Sequence, residues 1–382
     1  MQNEKEESFI LNEKLSETEI HSKINGYGHV HMKAAQNRYM RFMPFLAKAF
    51  PETAARKGII ESELYDISDF SAEINKNFKR KLFLKDDAHL PVGQSVTARG
   101  AMHEVLHIAE ILLQKNKLLS PTENYSKLNS TEIKEFFSHY KIYAVERENL
   151  ALSAGILAAR LGFKTVIYLS QSENQEIKNK LINEGIEAIE YKSDYRTAVS
   201  EAQKDCEKEE NSFFVGKSDS EDYFFGCSSA ALRLKVQLNK AHVEADENHP
   251  LFVYIPALIP EAAIGIAFGL KQLMGKDVHC FLTQSNDLTS LNETSEFVKS
   301  ISENIISGVF TVSAESMLNY SNKLKLSKNF NLKPTACMGF KAIENFEYKD
   351  FQSYLKKHNL FDKLENSAHI IWAAYGNADL TV

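Results

Sequence analysis

The sequence is poor in several features that would steer a reading of its function. It has four cysteines in 382 residues, Cys206, Cys227, Cys280 and Cys337. Their wide spacing, with no CxxC pair, suggests neither a disulfide framework nor a thiolate metal site. No apolar run approaches the ~20 residues that a membrane-spanning helix needs. There is no surplus of basic residues: 45 Lys and Arg stand against 51 Asp and Glu, a formal net charge of −6. That argues against a nucleic-acid surface. There is no internal repeat and no low-complexity tract. The stretch MQNEKEESFILNEKLSETEI lacks a signal peptide's apolar core and reads, with the residues up to 30, as a polar tail. A reducing cytosol fits, and export by a route that reads no cleavable signal stays open. What remains, 43% hydrophobic and 25% charged, is the composition of a soluble protein with one large or two medium domains.

From Lys141 onward, short apolar runs alternate with longer amphipathic ones. The pattern predicts strands at Lys141–Val145, Phe163–Leu169, Ile186–Tyr191 and Ser212–Val215. Helices are predicted between them at Asn149–Leu161, Gln171–Glu184 and Tyr195–Glu209. One long helix, Tyr223–Lys240, leads to a strand at Leu251–Ile255, a helix at Ala262–Met274 and a strand at Val278–Leu282. Such alternation implies an α/β fold with parallel sheets covered on both faces.

The stretch Leu84 to Glu110, LKDDAHLPVGQSVTARGAMHEVLHIAE, organises the reading. Its first half, with Lys85, Asp86, Asp87, His89, Pro91 and Gly93, reads as a polar loop. Its second half turns helical at about Arg99, with Met102, Val105, Leu106, Ala109, Leu112 and Leu113 on one apolar face. Ser95 and Thr97 thus arrive at a helix N-terminus, where free N–H groups and the helix dipole favour an anion.

KDDAHLPVGQSVTARGAMHEVL resembles the active-site segment of the D-serine dehydratase (D-serine ammonia-lyase) family, KxSHLPxSGSIKARGGxYEVL. The likeness extends through RFMPFLAKAFPETAARKGIIESEL, FFSHYKIYAV, LGFKTVIYLS, HPLFVYIP, GIAFGLK and DVHCFL, from about His31 onward. It implies a fold-type II pyridoxal-phosphate (PLP) enzyme architecture, like that of tryptophan synthase β. Two parallel-sheet α/β domains would flank a cleft, the larger from 31–140 and 216–382 and the smaller from 141–215.

Several positions depart from the family. The lysine of SIKARG, which the family uses as Schiff base and proton carrier, is Thr97 here, and a hydroxyl forms no aldimine. The family's phosphate-wrapping glycine run is replaced by Leu258, Ile259, Pro260, Glu261, Ala262, Ala263 and Ile264 before Gly265. Proline removes a donor and Glu261 adds negative charge. The family's STGNLG loop reads Glu146, Arg147, Glu148, Asn149, Leu150, Ala151, so only Asn149 is retained before the helix. Two carboxylates there would repel a substrate carboxylate, or pair with Arg147. In the family's WATGGG segment, Ala374 lacks the hydroxyl that meets the pyridine nitrogen, and Tyr375 fills space. The stretch between Leu282 and Val309 is shorter than the family's, which also puts its monovalent-cation site in doubt. Lys85 is shared with the family without a Schiff-base role there.

His103, Glu104 and His107 form an H-E-x-x-H on the same helix. That spacing puts two imidazoles on one face, as a zinc site requires. A third ligand would have to come from Glu110, Glu123 or Glu132. Ordinary packed histidines are the favoured reading.

These departures lead to an expectation of a D-serine dehydratase-like pseudoenzyme, with PLP binding and ammonia-lyase activity lost. It would act as a scaffold, regulator or effector-type binding protein, monomer or homodimer, towards an unidentified protein or small ligand. The alternatives are a rebuilt interdomain site with different chemistry, including zinc at His103 and His107, or residual non-covalent PLP binding.

Overall fold

The deepest strands are those whose side chains are mostly apolar on both faces. LFVYIP at Leu251–Pro256 and AHIIWA at Ala368–Ala373 are buried at every position, as expected of central strands in a covered parallel sheet. The computed structural model describes residues 7–15, 24, 26–286, 291 and 294–376.

In chain order the elements begin with β1 (Phe9–Leu11), α1 (His29–Ala49), β2 (Leu64–Asp66), α2 (Ser71–Ile74) and β3 (Lys81–Asp86). There follow α3 (Thr97–Lys115), α4 (Thr131–Phe137), β4 (Lys141–Val145), α5 (Leu150–Leu161), β5 (Lys164–Ser170), α6 (Gln175–Asn183), β6 (Glu187–Tyr191), α7 (Tyr195–Glu207) and β7 (Ser212–Phe214). Then come α8 (Glu221–Ser228), α9 (Ala230–Lys240), β8 (Leu251–Pro256), α10 (Pro260–Met274), β9 (Val278–Ser285), α11 (Glu296–Ile305) and β10 (Ile306–Val312). The last are α12 (Ala314–Lys328), α13 (Phe340–Glu344), α14 (Lys349–Lys357) and β11 (Ala368–Ala373).

The chain divides into two units. Of the described residues, one takes those up to Met32, Ser62–His89 and 227–376; the other takes Lys33–Glu61 and Leu90–Gly226. This grouping puts residues 90–140 with the smaller sheet, whereas the sequence reading put them with the larger one.

The first unit holds a seven-stranded sheet in the order β1-β10-β9-β8-β11-β3-β2. Its interior pairings are parallel, and its two edge strands, β1 on β10 and β2 on β3, are antiparallel. Part of the segment read as a polar tail is therefore edge strand: Phe9 pairs with Phe310 and Leu11 with Gly308. The predicted polar loop from Leu84 needs the same correction. Lys81–Asp86 is a strand beside β11, and Lys85, Asp86 and Asp87 are buried. The predicted long helix Tyr223–Lys240 is two helices, α8 and α9, that part at Ser229. At this break Gly269 of α10 meets the backbone of Ser228 so closely that a Cβ on it would lie 2.2 Å from the Ser228 carbonyl oxygen.

The second unit holds a four-stranded, all-parallel sheet in the order β6-β5-β4-β7. Its helices are capped by the residues that favour such ends: Ser130 accepts from the Ile133 N–H and Asp194 from the Thr197 N–H. Gly162 ends α5 at φ 111, where its N–H reaches the carbonyls of Ala158 and Ala159. Among the described residues no helix is long and apolar enough to cross a membrane. The four cysteines are free and buried.

Candidate active site

In the second unit the residues singled out from sequence gather at the start of α3 and at the turn before α5. The entry to α3 is tightly folded. Val92 and Gln94 take positive φ, 77° and 48°. A Cβ on Gly93, between them, would lie 2.3 Å from Ala98 Cβ and 3.0 Å from Ser153 Cβ, so only glycine lets this loop lie against α3 and α5. The helix begins at Thr97, two residues before the sequence-predicted Arg99. Thr97 is fully buried. Its hydroxyl donates to the Glu148 carbonyl at 2.8 Å, and Ser95 Oγ lies 2.9 Å from it. The structure thus unites Ser95, Thr97 and the 146–149 turn.

That turn is built by two consecutive left-handed residues, Glu148 at φ 52 and Asn149 at φ 65. They fold the backbone back so that the Glu146 carboxylate meets the first turn of α5. One oxygen accepts from the Asn149 N–H at 2.6 Å and the other from the Leu152 N–H at 2.7 Å. Glu146 therefore caps the helix with its own charge. Burial pushes its carboxyl up to about 7, against the opposing pull of those two N–H groups. Arg147 lies over the Tyr195 ring, 5.1 Å from its centroid.

The H-E-x-x-H residues each have partners within the protein. His103 is buried, with Nε2 2.6 Å from an Arg38 guanidinium nitrogen and Nδ1 2.7 Å from the Asp222 carbonyl. Burial, with Arg38 beside it, pulls its pKa down to about 3. His107 Nδ1 lies 2.6 Å from Asp222 Oδ1. Glu104 accepts from the Gly216 N–H at 2.9 Å and the Ser220 hydroxyl at 2.8 Å, and burial pushes it up to about 7. Glu110, a candidate third ligand, is held by Arg38, Arg41 and the Tyr125 hydroxyl. Both ring nitrogens of His103 are thus engaged within the protein. Among the described residues the one group of three such donors spaced for a cation is elsewhere, the surface trio Glu244, Asp246 and His249.

In the first unit the relevant loops follow β8, β11 and β3. Pro260 opens α10 at its first position, where a missing N–H costs least. Leu258, Ile259 and Pro260 are buried and Glu261 is half-buried. The Ile259 N–H donates to the Tyr375 hydroxyl at 3.0 Å, and that oxygen lies 3.3 Å from the Pro256 carbonyl. Gly265 is buried within α10, and Ala374 is buried just after β11. A polar cluster that sequence reading missed lies at the end of β3. Lys85 donates to the Ser62 carbonyl and to Gln237 Oε1, each at 2.9 Å. Asp87 accepts from the Ser62 hydroxyl at 2.6 Å and from the Trp372 ring N–H at 2.9 Å. The signal was the charged KDD directly after apolar LFL, since charges are buried only when paired or hydrogen-bonded.

The architecture is that of the fold-type II PLP enzymes. A family profile described as pyridoxal-phosphate dependent enzyme matches residues 56–343. A "Probable D-serine dehydratase" of Bacillus mycoides (strain KBAB4) is 34% identical over 406 residues, covering 97% of this chain and 91% of its own. One from Colwellia psychrerythraea is 34% identical over 386 residues, covering 92% and 87%. Among solved structures, Escherichia coli diaminopropionate ammonia lyase with an aminoacrylate-PLP azomethine reaction intermediate aligns with a TM-score of 0.71 at 14% identity, covering 98% and 95%. The same enzyme in complex with D-serine gives 0.72 at 15%, with the same coverage. The chain belongs to the pyridoxal-phosphate-dependent enzyme family, and within it to the D-serine dehydratases.

These findings correct the expectation of a pseudoenzyme without PLP or lyase activity. Relatives that match nearly the whole chain carry the name "Probable D-serine dehydratase", and the family is described by the cofactor. The local observations stand, but they describe individual contacts rather than the fate of the whole site. A hydroxyl at Thr97 offers no covalent anchor. Near α10 the Ile259 N–H is taken by Tyr375, and Pro260 has none. The residues present thus do not fit the imine-anchored mode of holding PLP that the resemblance implies.

Proposed function

We propose that this protein is a PLP-dependent lyase-type enzyme acting on a small 3-hydroxy amino acid of the D-serine class, with the cofactor held other than through residue 97. The observation that carries the reading is the 34% identity to named D-serine dehydratases across 97% of the chain. Supporting it, Ser95, Thr97 and the 146–149 turn keep a closely ordered arrangement at the start of α3. The four buried free thiols suit a reducing cytosol, and the net charge of −6 suits a small-molecule substrate rather than nucleic acid.

The test is pyruvate release from D-serine, read by coupling to lactate dehydrogenase, with PLP added and with PLP alone as control. Enzyme-dependent pyruvate together with saturable PLP absorbance is the expected result. No pyruvate above the PLP control, from protein that also leaves the PLP spectrum unchanged, overturns the reading.

A further inference from the structure

At the start of β3, the end of the strand away from Asp86, an open cavity of about 480 Å³ is lined by Asp69, Lys76, Phe78, Lys79, Arg80 and Lys81 among others. Four of these side chains are cations and one is an anion. The anion, Asp69, is already paired with Lys328. Lys76, Lys79 and Lys81 are exposed, whereas Arg80 is half-buried.

The arginine is the informative member. Its guanidinium carbon lies 4.4 Å from the centroid of the Phe346 ring and 5.4 Å from that of Phe78, so two aromatic rings fix its plane. Its Nε is buried and has no hydrogen-bond partner. Among the described residues no carboxylate or carbonyl pairs with its side chain, nor with those of Lys76, Lys79 and Lys81. The carboxylates whose field reaches it are Glu347 and Glu365; Glu347 is an exposed partner of Asn77. Burial pulls the Arg80 pKa below its ordinary value. A buried guanidinium N–H without an acceptor is costly, and an anion in the groove would meet the face of the group that stays open to solvent.

We propose that this groove is a binding site for a small phosphorylated anion, at the opposite end of β3 from the Lys85 and Asp87 cluster. Three lysines and an arginine around one cavity call for a ligand with more than one negative charge. A phosphate brings about 1.5 to 2 charges and several acceptor oxygens in the volume where a carboxylate brings one charge. The groove is open enough to admit an anion with two phosphate groups as well as one. The groove is remote from the loops that follow the strands. β3 rises about 17 Å from Lys81 to Asp86, and the cluster of Lys85 and Asp87 lies at its far end. Occupancy at the groove is therefore assigned to an effector, since the groove lies away from the loops that follow β3, β8 and β11.

The experiment is calorimetric titration of the full chain with sodium pyrophosphate at physiological ionic strength, against citrate at matched ionic strength. Saturable pyrophosphate binding is expected. It should weaken about tenfold in Arg80→Gln, the loss of one charge-assisted contact. Because Arg80 packs on rings, the exposed pair K76A/K79A serves as a second variant and is expected to weaken binding at least as much while leaving thermal unfolding unchanged. Absence of pyrophosphate binding, or unchanged affinity in K76A/K79A, overturns the proposal. Citrate binding as tightly as pyrophosphate overturns the assignment to phosphate. The readout is independent of pyruvate release, so failure here and failure of the lyase reading are distinguishable.

Discussion

Thr97 donates its hydroxyl to the main-chain carbonyl of Glu148, 2.8 Å away and 51 residues on. One side chain thus ties the first turn of α3 to the left-handed turn that opens α5. Because this hydroxyl cannot form an imine, borohydride treatment of the PLP-loaded protein should leave the peptide carrying residue 97 unmodified. In Thr97→Lys the same peptide should gain the pyridoxyl mass. Peptide mapping by mass spectrometry reads both, and modification at Thr97 in the wild type would contradict the assignment.

Replacing the same hydroxyl by a methyl, in Thr97→Val, removes the donor to Glu148 and the contact with Ser95 while keeping the volume. Urea unfolding should show a loss of about 1–2 kcal/mol, the usual effect of deleting a buried hydrogen bond. A variant as stable as the wild type would show that the tie contributes nothing.

Glu104 and Glu146 are both raised by burial to about 7. For an acid whose folded pKa exceeds its unfolded value, the native state holds the proton more tightly. Stability from such a group is full below the unfolded pKa, near 4.5, and falls as pH rises towards 7. Each carboxylate should therefore lower stability by about 1–2 kcal/mol between about pH 5.5 and about pH 7.5. Glu104→Gln and Glu146→Gln should each flatten that slope. The slopes come from urea midpoints taken across the range, and a slope that stays the same in both variants would remove these groups as its source.

Zinc should not be retained in stoichiometric amount through His103 and His107. His103 has its two nitrogens against Arg38 and the Asp222 carbonyl, and His107 Nδ1 lies beside the Asp222 carboxylate. Equilibrium dialysis followed by metal analysis, with His103→Asn and His107→Asn as controls, tests this. One equivalent of zinc lost in both variants would restore the metal reading.

Tyr375→Phe withdraws the oxygen that accepts the Ile259 N–H. A buried donor then loses its acceptor, and stability should fall by about 1–3 kcal/mol. Amide exchange at Ile259 should speed up in parallel, and slow exchange there in the variant would show that another group protects it.

Much of the fold was legible because it is written locally. The alternation that set β4 to β7 and α5 to α7 comes from apolar runs and capping residues, and these elements lie within a few residues of their expected bounds. β3 was not legible, because Lys85 and Asp86 look like loop residues until partners remote in sequence are known: Gln237 for Lys85, and Trp372 for the adjacent Asp87. The break at Ser229 was hidden for a similar reason, since it answers the close approach of Gly269. At the site, the replaced residues were easy to see, but the use made of them was not. Glu146 looked like a charge that would repel a substrate, whereas two left-handed residues fold it back as a helix cap. The step from altered residues to lost function was the one that failed. Single positions report which contacts changed, while membership in the family is carried by identity along the whole chain.

The chain has one tryptophan, Trp372, fully buried with its ring N–H held by Asp87. Its fluorescence is therefore a single-site signal. Emission comes from one indole in a fixed, dry setting at the end of β11, two residues from Ala374 and three from Tyr375. The native protein should emit to the blue of free tryptophan. Any event that loosens the Asp87 bond should shift the spectrum without label or mutation. The protein so carries its own optical gauge, placed beside the loops on which its chemistry would depend.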